Sequence, residues 1–222
     1  FNRATLGMYE PGSTIKVMTI AMALEYDVAS LEQTFDASEP LRVGKYTIHD
    51  DHPQNRWLTL PEIFIYSSNI GASRIAMEIG AKRQKDFLKR LGFLTAPSLE
   101  INGGELGTPK WPSGRQWGDS STMTISFGYG IQISQLQMAS GFSTIVNGGI
   151  KVDPTLLKQN HETNKTRVLS KKTSEKLSEL LRLNVSHPEG TGQMANVDGF
   201  SVGGKTGTAE KSIPDGYDSK AL

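Results

Sequence analysis

Apolar positions crowd one stretch near the start of the chain and set the first expectation. In "YEPGSTIKVMTIAMALE", Tyr9 to Glu25, the residues Ile15, Val17, Met18, Ile20, Ala21, Met22, Ala23 and Leu24 leave almost no polar face. A helix that is apolar nearly all round is buried between other elements. Its mouth nevertheless carries a hydroxyl, Ser13, and an amine, Lys16. Ser30 to Leu58 reads as polar and irregular, apart from the alternating piece "LRVGKYTIHD", which predicts a strand or hairpin. "TLPEIFIYSSN" opens a helix, because Thr59 and Glu62 have capping-box spacing and Pro61 fits a first turn. Further helices are predicted over Ile70 to Ile79 and Lys82 to Leu91, with Gly80 and Gly92 as stops.

Gly103 to Gly118, rich in Gly, Pro and Trp, predicts a long loop. "SQLQMASGFSTIVNGG" predicts a helix with Ser134 and Gln137 as a capping box and Asn147-Gly148-Gly149 as its end. Ser170 to Val185 is amphipathic, with Leu177, Leu180, Leu181 and Val185 on one side. The Gly-rich run Gly190 to Ala209 predicts one or two strands around "GFSVGGKTGTAE". Helices outnumber strands and do not alternate with them, which indicates an α+β fold.

Composition narrows the function classes. The 222 residues fit one domain with room for two lobes. With 24 basic and 23 acidic residues the net charge is +1, and no run of like charges marks a nucleic-acid surface. Cysteine is absent, so the redox compartment stays open. No run of 18 apolar residues predicts a membrane span. The chain opens on Phe1 and ends in the turn-like "KSIPDGYDSKAL"; a membrane anchor and further domains are expected outside it.

Three short motifs carry chemistry. Ser13 and Lys16 form S-x-x-K, which on a helix puts both side chains on one face. A serine hydroxyl needs an adjacent base to become a nucleophile, and a lysine can be that base. Its ordinary pKa of about 10.4 must then fall through burial or a second cation. "SSN", Ser67 to Asn69, offers a hydroxyl and an amide at a helix end, although a merely polar terminus reads the same way. "GGKTGTA", Gly203 to Ala209, combines a lysine suited to a carboxylate with a glycine-rich segment that another backbone can approach. The alternative there is a hairpin with an incidental lysine.

In the order S-x-x-K, S-x-N, K-T-G the three form the signature of penicillin-binding proteins and class A β-lactamases. The chain resembles the transpeptidase domain of class B penicillin-binding proteins in "RATLGMYEPGSTIK", "IYSSNIGAS", "GGKTGTAE" and "ISFGYGIQISQLQMASGFSTIVNGG". The F-G-Y-G-I form leans to the division-type (FtsI-like) branch. The resemblance implies one partial transpeptidase domain over residues 1–222. The implied fold is an antiparallel sheet covered by helices on both faces, plus an all-helical lobe, with several strands outside the chain. The isolated segment is therefore expected to fold poorly.

The same resemblance implies roles. Ser13 would be the acylated nucleophile and Lys16 its base; Ser67 would relay protons and Asn69 would orient Lys16 and the substrate amide. Lys205, Thr206 and Thr208 would hold the substrate carboxylate, and Gly207 would leave room beside the strand for the substrate backbone. The backbone N–H groups of Ser13 and Thr208 would form the oxyanion hole. Arg3 and Glu10 are read as structural; His49, His52, His161 and His187 lack metal spacing, and Trp57, Trp111 and Trp117 read as packing. No metal or cofactor is implied.

The implied activity is D,D-transpeptidation of peptidoglycan stem peptides, from a D-Ala-D-Ala donor to an amine acceptor, in septal wall synthesis. β-Lactams would act as covalent inhibitors, and a lipid II polymerase with other division proteins as partners, at the periplasmic face of the bacterial inner membrane. Alternatives on the same fold are a D,D-carboxypeptidase, a β-lactamase and a non-catalytic penicillin sensor. The E-x-x-L-N block of class A β-lactamases is missing from the sequence.

Overall fold

The computed structural model describes residues 1–44, 46–100, 106–113, 117–158, 165–209, 211–213 and 216–218. His161 and parts of the 103–118 and C-terminal stretches lie outside these residues. One helix organises the rest. After a 3-10 turn over Gly12–Ile15, α1 (Lys16–Glu25) buries every residue from Lys16 to Leu24. Burial on all sides follows from the continuous apolar run, which leaves no face for water. Around α1 pack α2 (Leu60–Ile65), α3 (Asn69–Ile79), α4 (Ala81–Arg90), α5 (Asp119–Ser126) and α7 (Lys171–Ser186). The remaining helix, α6 (Gln135–Val146), packs on α7.

Local signals place these helices where expected. Thr59 and Glu62 close a reciprocal box at the start of α2: the Thr59 N–H donates to Glu62 Oε2 at 2.7 Å. Ser134 and Gln137 do the same for α6. Gly80, at φ +83°, separates α3 from α4 in a conformation that costs glycine little. Leu177, Leu180, Leu181 and Val185 are the buried stripe of α7.

Among the described residues the strands are short and paired only in twos. β1 (Thr34–Asp36) pairs with β4 (Trp57–Thr59), β2 (Leu41–Val43) with β3 (Tyr46–Ile48), β5 (Ile150–Val152) with β6 (Lys165–Arg167), and β7 (Lys211–Ile213) with β8 (Gly216–Asp218). All four pairs are antiparallel. The hairpin expected at "LRVGKYTIHD" is β2–β3. The supposedly irregular stretch also contains β1 and meets β4, three-residue strands too short to show alternation.

One expectation needs correction. The run "GFSVGGKTGTAE" forms no strand among the described residues. Its hydrogen bonds go to a helix instead: the Gly204 N–H donates to the Leu181 carbonyl at 3.0 Å, and Arg182 Nη1 donates to the Val202 carbonyl at 2.9 Å. A strand requires a neighbouring strand to pair with, and among the described residues the backbones alongside are α7 at Gly203–Gly204 and the Gly12 turn at Thr208. A Cβ on Gly203 would lie 3.1 Å from the Arg182 nitrogen, so glycine permits this close approach. The second difference is α5, which no apolar period announces. Its residues are mostly Ser and Thr, which favour caps and turns, and its one buried apolar residue is Ile125.

Candidate active site

Three segments converge at the mouth of α1. Ser13 sits in the 3-10 turn, and Lys16, one turn further, is buried to 1% exposure. The turn is wedged between two other backbones. The Gly12 N–H donates to the Gly128 carbonyl at 3.3 Å, and a Cβ on Gly12 would fall 2.3 Å from the Thr208 carbonyl oxygen. Gly12 has φ +53°, so only a residue without a Cβ meets both demands cheaply. Gly207 repeats the logic, since a Cβ there would lie 2.7 Å from Thr14 Cγ2. Its missing side chain therefore makes room for the start of the helix.

Lys16 Nζ has four oxygen neighbours. It lies 2.9 Å from Ser13 Oγ, 2.6 Å from the Ser67 carbonyl, 2.6 Å from Asn69 Oδ1 and 3.1 Å from Ser67 Oγ. Two of these, the carbonyl and the amide oxygen, can only accept. A neutral amine has two N–H groups and one lone pair. Its two protons go to the two obligate acceptors, and its lone pair is left facing a hydroxyl. Ser13 is the nearer hydroxyl. The assignment of Asn69 is fixed from its other side, because Nδ2 donates to the His49 carbonyl at 2.9 Å.

The amine has the acidity this role requires. Burial, then the nearby Lys205 charge, lower its pKa to about 7, against a smaller upward pull from Asp50 and Asp51. Lys205 comes from the glycine-rich segment. Its amine donates to Ser67 Oγ at 2.9 Å and to the Thr206 carbonyl at 3.2 Å, and burial lowers its pKa to about 8. Ser67 Oγ thus bridges the two lysines. Thr206 and Thr208 are exposed on the rim beside it.

Ser67 reaches this position through a left-handed backbone, φ +58°. For a residue with a Cβ this costs about 1–3 kcal/mol and persists only where neighbours over-determine it. Asp50 fixes the three residues just after Ser67. Buried to 8% exposure, its carboxylate accepts from Ser68 Oγ at 2.7 Å and from the N–H groups of Asn69 at 2.6 Å and Ile70 at 2.9 Å. It thereby holds the first turn of α3, whose unsatisfied N–H groups and dipole favour an anion. Nothing in the sequence marked Asp50, which stands 17 positions before Ser67 with no fixed spacing to it.

Glu10 lies at the same mouth, its Oε1 accepting the Gly130 N–H at 2.8 Å, while Arg3 is exposed. Of the tryptophans, Trp117 is buried and its Nε1 donates to Gln84 Oε1 at 3.0 Å, whereas Trp57 is 59% exposed. A cavity of about 570 Å³ opens beside Asn69, lined by Val43, Tyr46, Ile48, His49, Phe127 and Tyr129 among others.

This architecture is found in solved transpeptidase domains. The apo TP domain of penicillin-binding protein 3 from Burkholderia pseudomallei superposes with a TM-score of 0.92 and 30% identity, covering 99% of this chain and 66% of that one. The sequence of the chain belongs to the same group: residues 1–221 match the penicillin binding protein transpeptidase domain, and the chain is a member of that family. Its relatives include the probable peptidoglycan D,D-transpeptidase FtsI of Caulobacter vibrioides, 39% identical over 216 residues, which are 96% of this chain and 36% of that protein. The probable peptidoglycan D,D-transpeptidase PenA of Neisseria meningitidis is 33% identical over 217 residues, 97% of this chain and 36% of that protein. The chain thus spans about a third of the length of these relatives.

Proposed function

We propose that this domain is a peptidoglycan D,D-transpeptidase working through an acyl-enzyme on Ser13. The observation that carries the reading is the Lys16 amine, 2.9 Å from Ser13 Oγ with its other directions occupied by obligate acceptors. Ser13 Oγ attacks the carbonyl of the penultimate D-Ala of the donor stem, and its proton passes to Lys16. The N–H groups of Ser13 and Thr208 receive the oxyanion, a contribution of about 3 kcal/mol per donor. Collapse breaks the peptide bond. The proton leaves through Ser67 to the departing D-Ala amine, and the donor stem remains as an ester on Ser13. Lys205, with Thr206 and Thr208, holds the terminal carboxylate in the donor step.

An amine of a second stem then attacks the ester. It gives up one proton through Lys16, and the other end of the exchange restores the Ser13 hydroxyl. The product is a peptide cross-link. A β-lactam carries a carboxylate and a strained amide, and acylates the same oxygen. The cavity beside Asn69, with its partly apolar lining, would receive side chains of the stem. Septal wall synthesis beside a lipid II polymerase, at the periplasmic face of the inner membrane, is the setting that the F-G-Y-G-I resemblance to the division-type branch implies. Among the described residues no helix is long and apolar enough to cross a membrane.

The test uses the full-length protein, a D-Ala-D-Ala stem peptide and an amine acceptor. Release of D-Ala together with a cross-linked dimer, both abolished by Ser13→Ala, is expected. Release without the dimer identifies a carboxypeptidase, and fast turnover of penicillin a β-lactamase. If a Ser13→Ala strain cross-links its wall normally, catalysis is not the domain's task.

A further inference from the structure

The apolar stripe of α7 contains one residue that does not belong there by polarity. Asn184 is 0% exposed, between Leu181 and Val185 on the buried side. A buried amide without partners is costly, and this one has partners on both ends. Nδ2 donates to the Gly204 carbonyl at 2.9 Å. Oδ1 accepts the Thr191 N–H at 3.2 Å and its hydroxyl at 3.1 Å. The backbone N–H can only donate, so the amide orientation is fixed.

Gly204 is the residue before Lys205. Its N–H is held by the Leu181 carbonyl and its carbonyl by Asn184, so both backbone polar groups of Gly204 pair with α7. The following loop wraps the same residue. A Cβ on Gly190 would lie 2.1 Å from the Asn184 carbonyl oxygen, and one on Gly192 2.9 Å from Nδ2. A helix thus clamps the backbone next to Lys205.

We infer that Asn184 is a positioning residue that sets where the Lys205 amine stands, and so governs recognition of the substrate carboxylate. This rests on the transpeptidase reading above. The side chain touches no reacting atom. It acts through the Gly204 peptide, and Thr191 acts through Asn184.

A merely structural role and a positioning role differ in one readout. The second-order rate of Ser13 acylation is measured on full-length protein with a fluorescent penicillin and with the methyl ester of its carboxylate. The ratio of the two rates reports how well the carboxylate is gripped. Asn184→Asp keeps the size and the Thr191 contacts but replaces the donor facing Gly204. It is expected to slow the free acid about tenfold to a hundredfold while leaving the ester nearly unchanged, since small displacements of a binding group are costly. Thr191→Val, at a partly exposed site, is expected to shift the ratio the same way and less, and it decides the matter if Asn184→Asp fails to fold. Equal slowing of both probes, or an unchanged ratio, overturns the inference alone. Absence of acylation at Ser13 in the unmodified protein overturns the transpeptidase reading, and this inference falls with it.

Discussion

Replacing Lys205 by glutamine should move the titration of a different lysine. The nitrogens of Lys16 and Lys205 lie 3.1 and 2.9 Å from the same Ser67 oxygen, so they are no more than about 6 Å apart. Two like charges at that distance repel by about 3 kcal/mol at an effective dielectric constant near 20. Partial exposure of Lys205 reduces this to about 1.4–2.7 kcal/mol, or about 1–2 pH units. The direction follows from the chemistry. Repulsion disfavours the charged form of Lys16 and contributes, after burial, to its fall to about 7. Lys205→Gln removes that repulsion, so the Lys16 pKa rises toward its ordinary value. Acylation needs the neutral amine, and its acidic limb should therefore move to higher pH. The unmodified protein should show a second limb near pH 8, where Lys205 loses its proton and its hold on the carboxylate. That basic limb should vanish in the variant. The assay is the pH dependence of the acylation rate with a fluorescent penicillin; the shape of the curve is read, so an overall slower variant still answers. An acidic limb that stays in place, or a basic limb that persists, would refute the coupling.

Other substitutions test other links. Asp50→Asn keeps the shape and most hydrogen bonds but removes a charge that pulls the Lys16 pKa upward, so the same acidic limb should move to lower pH, opposite to Lys205→Gln. Gly12→Ala combines φ +53° with a Cβ 2.3 Å from the Thr208 oxygen; denaturant titration should show a loss of about 2–4 kcal/mol, with slower acylation. Phe64, fully buried in α2, should cost about 3–5 kcal/mol on truncation to alanine, read as a lowered unfolding midpoint.

What could be read in the sequence was what is encoded locally. The capping boxes at Thr59 and Ser134 concern residues three apart, and α1 declares its burial through consecutive apolar residues. The catalytic candidates were also legible, because S-x-x-K, S-x-N and K-T-G are short strings. Ser13, Lys16, Ser67, Asn69 and Lys205 do meet at one site. What escaped were contacts between distant segments. Asp50 holds α3 from just past the β2–β3 hairpin, at no fixed spacing from Ser67, and Asn184 looked like any polar residue near a helix end. The one or two strands expected within Gly190–Ala209 are not found among the described residues for the same reason, since extended residues become a strand only where a partner lies alongside.

The central claim is that Lys16 deprotonates Ser13 and that this oxygen takes the acyl group. It is tested most directly by incubating the full-length protein with a labelled β-lactam, digesting it and locating the adduct by mass spectrometry. The account predicts one stable adduct, on the peptide containing Ser13, lost in Ser13→Ala and formed much more slowly in Lys16→Met. An adduct on another residue, or undiminished labelling without the Lys16 amine, would contradict it.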